Sequence, residues 1–383
     1  MAQASFDAFR YAHDHYDEVV WMSQNTNHLV PPEVLRPAFD RVIGSRRYAD
    51  YPYAAGDPEL RELVLNDLGF PRDHGWLLAA GGTEALYMLT RALLSAGDDV
   101  LASDPSYLII HKFIGLSGAR PVALDIYAPP YRLTAERLAE ARTSKTRMVL
   151  LIDPLNPLGS GYPREEVRAI AEWAHDHHLL LVNDITYRDF SPGHALAAEF
   201  APDETLTVWS VSKNCGLAGL RLGGVAGPRA LVDQVARYNT NDLGVNVLAQ
   251  AAAVAALRTK ADWIDHVRSV TRTNQDRIRA AIETVEGVSL PVFPSRANMF
   301  AVDVADAHVT PEALQHELLV RHKVFVRAGN YLSPKFGHRF IRASFSNPPE
   351  DIDRFTRAFP AALEAVRSAR VAAPGPGSAT AQP

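Results

Sequence analysis

Ser210-Val211-Ser212-Lys213-Asn214-Cys215-Gly216-Leu217-Ala218-Gly219-Leu220-Arg221 opens at the end of an apolar, strand-like run, Leu206 to Val211. It holds one lysine in an otherwise uncharged stretch, until Arg221 eight positions on. A surface lysine is a solvated cation. A lysine held at the end of a buried strand is desolvated instead, which disfavours the ammonium form and lowers its pKa. The neutral amine is then a nucleophile able to form a Schiff base with an aldehyde. Ser210 and Ser212 flank it with hydroxyls, and Arg221 adds a planar cationic fork suited to phosphate. An imine-forming lysine beside a phosphate site points to pyridoxal 5′-phosphate (PLP). The bland alternative is a strand end with an incidental lysine, and the rest of the chain decides between them.

Outward from this stretch, short apolar runs alternate with helical patterns. The runs lie at Val100-Leu101-Ala102, Met148 to Ile152, Leu179 to Val182 and Leu206 to Trp209. Helical patterns occupy Glu84 to Leu94, Ile109 to Leu116 and Arg164 to His177, and an amphipathic helix begins at Pro58 with Asp57 as N-cap. Alternation of this kind predicts an α/β fold, a mostly parallel central sheet flanked by helices on both faces. One long helix is expected from about Val247 to Glu286. Beyond it, Met299 to Val304, Lys323 to Arg327 and Phe340 to Ser344 read as strands of a smaller α+β unit. The first 22 or so residues could form a helix packed on the body. The expected division is a large domain over 46–285, a small domain from 1–45 and 286–371, and a disordered Pro/Gly/Ala/Ser-rich tail over 372–383.

Chemistry-bearing segments fall where predicted strands end, the place where open α/β sheets collect ligands. Gly81-Gly82-Thr83-Glu84 opens a helix whose free N–H groups favour phosphate. Asp104-Pro105-Ser106-Tyr107 is a turn with an aromatic residue. Asp153-Pro154-Leu155-Asn156-Pro157-Leu158-Gly159 fixes Asn156 between two prolines. Asn183-Asp184-Ile185-Thr186-Tyr187 puts a carboxylate at a strand end, where burial calls for a nearby cation. Arg342 lies in the strand Arg339 to Ser344, Tyr51 precedes Gly56 by five residues, and Asn298 sits in Ser295-Arg296-Ala297-Asn298.

In this order, from about Asn25 to about Ser344, the segments resemble the motifs of the class I/II aminotransferases, the fold-type I PLP enzymes. Asn298 echoes the histidinol-phosphate aminotransferase-like branch. The resemblance implies that Lys213 forms the Schiff base and shuttles a proton, and that Asp184 keeps the pyridine nitrogen protonated. It implies that Tyr187 and Asn156 bond the phenolic oxygen and that Tyr107 stacks on the ring. Gly82, Thr83, Ser210, Ser212 and Arg221 would hold the phosphate, with Tyr51 reaching the phosphate of a neighbouring subunit. Arg342 would grip the substrate α-carboxylate, helped by Asn156, with Asn298 a further substrate-pocket candidate. Two positions depart from the family pattern, Leu158 for the usual threonine and Ile185 for the usual glutamate. Met22-Ser23-Gln24-Asn25-Thr26-Asn27 replaces the usual small-domain motif and hints at an unusual substrate.

Composition is that of a soluble globular protein. Of 383 residues 47% are apolar and 22% charged, with a net charge of −5, no basic stripe for nucleic acid and no apolar run long enough to span a membrane. One cysteine and an N-terminus unlike a secretory leader fit a cytoplasmic setting. His13-Asp14-His15 and His175-Asp176-His177-His178 read as solvated helix histidines, so no metal is expected. The expectation is a homodimeric aminotransferase with shared active sites, passing an amino group between an α-amino acid or related amine and a 2-oxo acid. The alternatives are a PLP-dependent lyase, decarboxylase or cyclase of the same fold, possible in specialised metabolism, and a PLP-binding regulator without turnover.

Overall fold

The computed structural model describes residues 6–372. A two-residue strand, β1 (Val20–Trp21), precedes the seven that build the main sheet. These are β2 (Gly75–Ala79), β3 (Asp99–Asp104), β4 (Arg120–Asp125), β5 (Thr146–Ile152), β6 (Leu180–Asp184), β7 (Thr205–Ser210) and β8 (Gly223–Gly227). Their order is β2-β8-β7-β6-β5-β3-β4. The run β7-β6-β5-β3-β4 is parallel throughout, while β8 is antiparallel to both neighbours. Every residue of β3 and β7 is buried, the pattern of parallel strands covered by helices on both faces.

The expected strands are the cores of β3, β5, β6 and β7. Three others, β2, β4 and β8, were not anticipated, although Trp76 to Ala79 in β2 is an apolar run. The sheet-edge strand β4 is partly exposed throughout, and its apolar run is only Val122 to Leu124, with Arg120-Pro121 before it and Asp125 after it. The sequence of β8 is Gly-Gly-Val-Ala-Gly, poor in strand propensity. Its glycines are there for close approach, since a Cβ on Gly223 would stand 2.6 Å from the Trp209 carbonyl oxygen and 2.7 Å from the Gly82 nitrogen.

Helices Gly82–Leu93, Ile109–Leu116 and Arg164–Asp176 match expectation to within two residues. Helix Pro58–Leu68 starts as predicted, the Asp57 carboxylate accepting from the N–H groups of Glu59 and Leu60. The single long helix expected after Val247 is instead two, Val247–Arg258 and Lys260–Ile282. Thr259 leaves helical geometry (φ −105°, ψ 16°), its hydroxyl bonded back to the Ala255 carbonyl, a local bond that competes with the helix ladder. The second helix joins two cores: Trp263 and Val267 pack with the sheet body, and Ile278 and Ile282 with the smaller unit.

That smaller unit holds β9 (Met299–Asp303), β10 (Val324–Phe325), β11 (Arg327–Ala328) and β12 (Phe340–Ser344). The antiparallel order is β11-β12-β9, and β1 adds to β10 in parallel. The strand expected at Lys323 to Arg327 is thus split between two sheets. The N-terminal part is a short helix, Ala8–Asp14, followed by β1. Helix Pro32–Gly44 packs on Val247–Arg258, with Val34, Leu35 and Phe39 against the large-domain core. The tail expected at 372–383 lies, but for its first residue, outside the described residues. Among the described residues no helix is long and apolar enough to cross a membrane.

Candidate active site

The turns after β2, β3, β5, β6 and β7 converge with β12 and the segment after β1 on one cavity of about 350 Å³. Gly82, Thr83, Tyr107, Asn156, Asp184, Tyr187, Ser210, Ser212, Lys213, Arg221 and Arg342 all line it, so segments spread over the chain meet as the sequence anticipated. Asn298 does not line it. Its side chain is fully buried one layer deeper, where the amide nitrogen donates to the Asn25 carbonyl (3.0 Å) and to Ser346 Oγ (2.7 Å). Tyr51 also lies elsewhere, on the surface and 78% exposed.

Lys213 rides on a four-residue helix, Val211–Asn214, started by the Ser210 hydroxyl, which accepts from the Ser212 N–H (3.2 Å). Its ammonium donates to the Gln24 carbonyl at 2.7 Å. Burial, then the charges of Arg342 and Arg221, lowers its pKa to about 7. Behind it the Asn214 amide donates to Asp189 (2.7 Å), a buried carboxylate also bonded by Lys260. Burial works against that carboxylate, but its cationic partners hold its pKa low.

Asp184, at the end of β6, is buried, and desolvation raises its pKa. Its Oδ1 accepts from the backbone N–H (3.0 Å) and hydroxyl (2.6 Å) of Thr186. Among the described residues no cation pairs with it. Arg342 on β12 is buried as well, and desolvation lowers its pKa to about 10. It donates to Asn156 Oδ1 (2.7 Å) and to the Ser23 carbonyl (2.5 Å), and among the described residues its Nε finds no partner. Because Asn156 Oδ1 faces Arg342, the amide nitrogen of Asn156 is left to donate elsewhere.

Helix Gly82–Leu93 points its N-terminus into the cavity, where Thr83 Oγ1 lies 3.0 Å from the Tyr107 hydroxyl. Gly81 has a φ of 94°, and a Cβ there would stand 2.5 Å from Arg221 Nη2. The guanidinium is thereby packed against the helix start. Free N–H groups, three hydroxyls and one guanidinium form a phosphate-type cradle.

Sequence reasoning missed several wall residues. Ser23, Gln24 and Asn25 come from the segment flagged only as atypical, and Phe9 from the N-terminal helix. Arg327 and Tyr331 also line the cavity. Arg327 stands directly across the strand pair from Arg342, its guanidinium 4.4 Å from the Phe9 ring centroid and 3.6 Å from that of Tyr331. Two arginines opposed across antiparallel strands repel. That cross-strand pairing would have been the signal, but it cannot be read before the register is known.

The family model described as aminotransferase class I and II matches residues 17–359 of the chain. The arginine–pyruvate transaminase AruH of Pseudomonas aeruginosa is 29% identical over 316 residues, covering 79% of each chain. The aspartate/prephenate aminotransferase of Thermus thermophilus is 28% identical over 354 residues, 85% of this chain and 87% of its own. In fold, an aminotransferase from Mycobacterium tuberculosis superposes with a TM-score of 0.82 at 24% identity, covering 94% of both chains.

Proposed function

Because the chain belongs to the class I and II aminotransferase family, we propose that it holds PLP in this cavity with Lys213 as the covalent partner. One observation carries the reading: Lys213, Asp184 and Arg342 open into a single cavity next to a phosphate cradle. The residues fit the group. Asp184 is a buried carboxylate without a cation, and a protonated ring nitrogen would supply one. Gly82, Thr83, Ser210, Ser212 and Arg221 would hold the phosphate, and Tyr107 offers a flat wall beside Thr83. When bound, PLP supplies an aldehyde that exchanges amines and a ring that takes up the electron pair left at the substrate α-carbon.

The protein's own part is to bind, orient and move protons. Near neutral pH a large share of Lys213 is unprotonated, so Nζ can take the α-proton and return it. Arg342, with an unpartnered Nε, grips the α-carboxylate. The Asn156 amide and Tyr187 hydroxyl remain as donors to a ligand oxygen.

Among the described residues the cavity wall carries the basic side chains Lys213, Arg221, Arg327 and Arg342 but only one carboxylate, Asp184. After a phosphate and an α-carboxylate are bound, Arg327 is left facing the cavity. An amino acid with an acidic side chain satisfies it, so of the donors named for the relatives aspartate fits better than arginine. A phosphorylated amine of the histidinol phosphate kind would also meet Arg327. Its phosphate would pair with Arg342 as well, and what weighs against that branch is that the relatives are by name arginine and aspartate/prephenate aminotransferases. We further propose a homodimer, formed where Tyr48, Tyr51 and Tyr53 stand exposed beside the loop containing Leu243 and Gly244.

The test combines attachment and donor choice. Borohydride reduction of the PLP-loaded protein should fix the label on Lys213, and a label on any other lysine would defeat the assignment. Aspartate should convert the bound cofactor's absorbance, with reversal by a 2-oxo acid. Arg327→Met should weaken aspartate about 10- to 100-fold and leave an uncharged amino acid unchanged. Equal loss for both donors would take Arg327 out of the substrate site.

A further inference from the structure

Asn25 belongs to none of the recognised motifs, yet it is 1% exposed and lines the cavity. It takes a left-handed backbone, φ 52°, in the bend Ser23-Gln24-Asn25. Its amide nitrogen donates to the Tyr187 hydroxyl at 3.1 Å, across 162 positions of sequence. The bend is pinned from behind. Asn298 donates to the Asn25 carbonyl and to Ser346 Oγ, and that hydroxyl in turn donates to the Thr26 carbonyl at 2.8 Å. The Asn298 carbonyl accepts from the Phe345 N–H, which ties the arrangement to the end of β12. Among the described residues Asn25 is the one hydrogen-bond partner of the Tyr187 oxygen. The other groups acting on that phenol are Arg342, Asp184 and Tyr107.

A phenol oxygen that accepts from Asn25 cannot also give its proton to that nitrogen. The proton must point elsewhere, and the open direction is the cavity. We propose that Asn298 and Asn25 form a relay that aims the Tyr187 proton at the ligand, making both asparagines positioning residues. The inference rests on the reading that PLP occupies the cavity, with its phenolic oxygen receiving that proton. It gives Asn298 a role one layer behind the substrate site, and it makes the small domain a determinant of a hydroxyl on the large one.

The test uses the full chain and PLP as probe, and reads the pH midpoint at which the bound cofactor's absorbance changes. A donor at the phenolic oxygen favours the form of the chromophore that has lost its proton. Asn25→Gly keeps the left-handed backbone and deletes the amide. It should raise the midpoint by about half to one pH unit. Asn298→Ala should shift it in the same direction and provides the second route to the answer. In a Tyr187→Phe background neither substitution should move it further. An unmoved midpoint in both variants, or a shift that persists in full without the Tyr187 hydroxyl, overturns the relay. If the unsubstituted protein fails to fix PLP on Lys213, the proposed function falls and takes the relay with it. Normal fixation with an unmoved midpoint removes the relay alone.

Discussion

Lys213 can be probed before any ligand is added. Its pKa is about 7 in the fold, against about 10.4 for a free lysine. Between these values the unfolded chain binds a proton that the folded one does not, so stability rises with pH across this window. The cost of Lys213 is therefore fully present below about pH 7 and gone above about pH 10. Lys213→Met should stabilise the ligand-free protein at pH 6 by an amount on the order of a few kcal/mol, the advantage vanishing near pH 10.5. Denaturant melts at the two pH values measure this, and a pH-independent difference would mean that the amine is not desolvated. Asp184 tests the other end of the site. Asp184→Asn keeps the shape but removes the anion proposed to face the ring nitrogen. PLP should stay bound, while exchange of the substrate α-proton slows by about 100-fold or more. Exchange at the original rate would leave the carboxylate a purely structural role.

Strand β8 shows how an element can serve the site without lending it a side chain. Gly223 brings the strand against the Gly82 nitrogen, at the start of the helix that would receive the phosphate. Gly223→Ala should cost about 1–3 kcal/mol of stability through overpacking, and it should loosen PLP by shifting the helix start. Gly219→Ala is the control, because nothing lies within 4 Å of its added Cβ. Denaturant melts and PLP titration of both variants separate the cases. If Gly223→Ala binds PLP as tightly as the unsubstituted protein, the helix start does not depend on that contact. The division of the chain at residue 45 is best moved as well. The packing of helix Pro32–Gly44 supports a boundary near 31, which we propose in its place.

For the molecule as a whole, the decisive quantity is its association state. Tyr51 is 78% exposed on a single chain, and with Tyr48 and Tyr53, also exposed, it forms a run of aromatic side chains on the surface. If it reaches a phosphate across a two-fold interface, Tyr51→Phe should leave the dimer intact by sedimentation and weaken PLP about 10- to 100-fold. A dimer with unchanged PLP affinity would leave Tyr51 as packing alone. A monomer at micromolar concentration with full PLP affinity would remove the shared site altogether.

By itself the sequence determined the parallel sheet and most of the residues that meet at the cavity. Both are local signals: apolar runs of strand length, and polar residues placed where those runs end. Lys213, Asp184, Asn156 and Gly82 were legible as cavity residues because strand end, turn and polar residue are contiguous in the chain. The tertiary structure decided the rest. Arg327 gains its meaning from standing opposite Arg342, and Asn25 from touching Tyr187. In strand β8, Gly223 is held to glycine by the Trp209 carbonyl and the Gly82 nitrogen, both far from it in sequence. Asn298 reads as a pocket residue in sequence and as a support for Asn25 in space. In each case the deciding partner is far along the chain, brought close by burial of apolar surface that fixes register and packing but leaves no mark on the neighbouring residues.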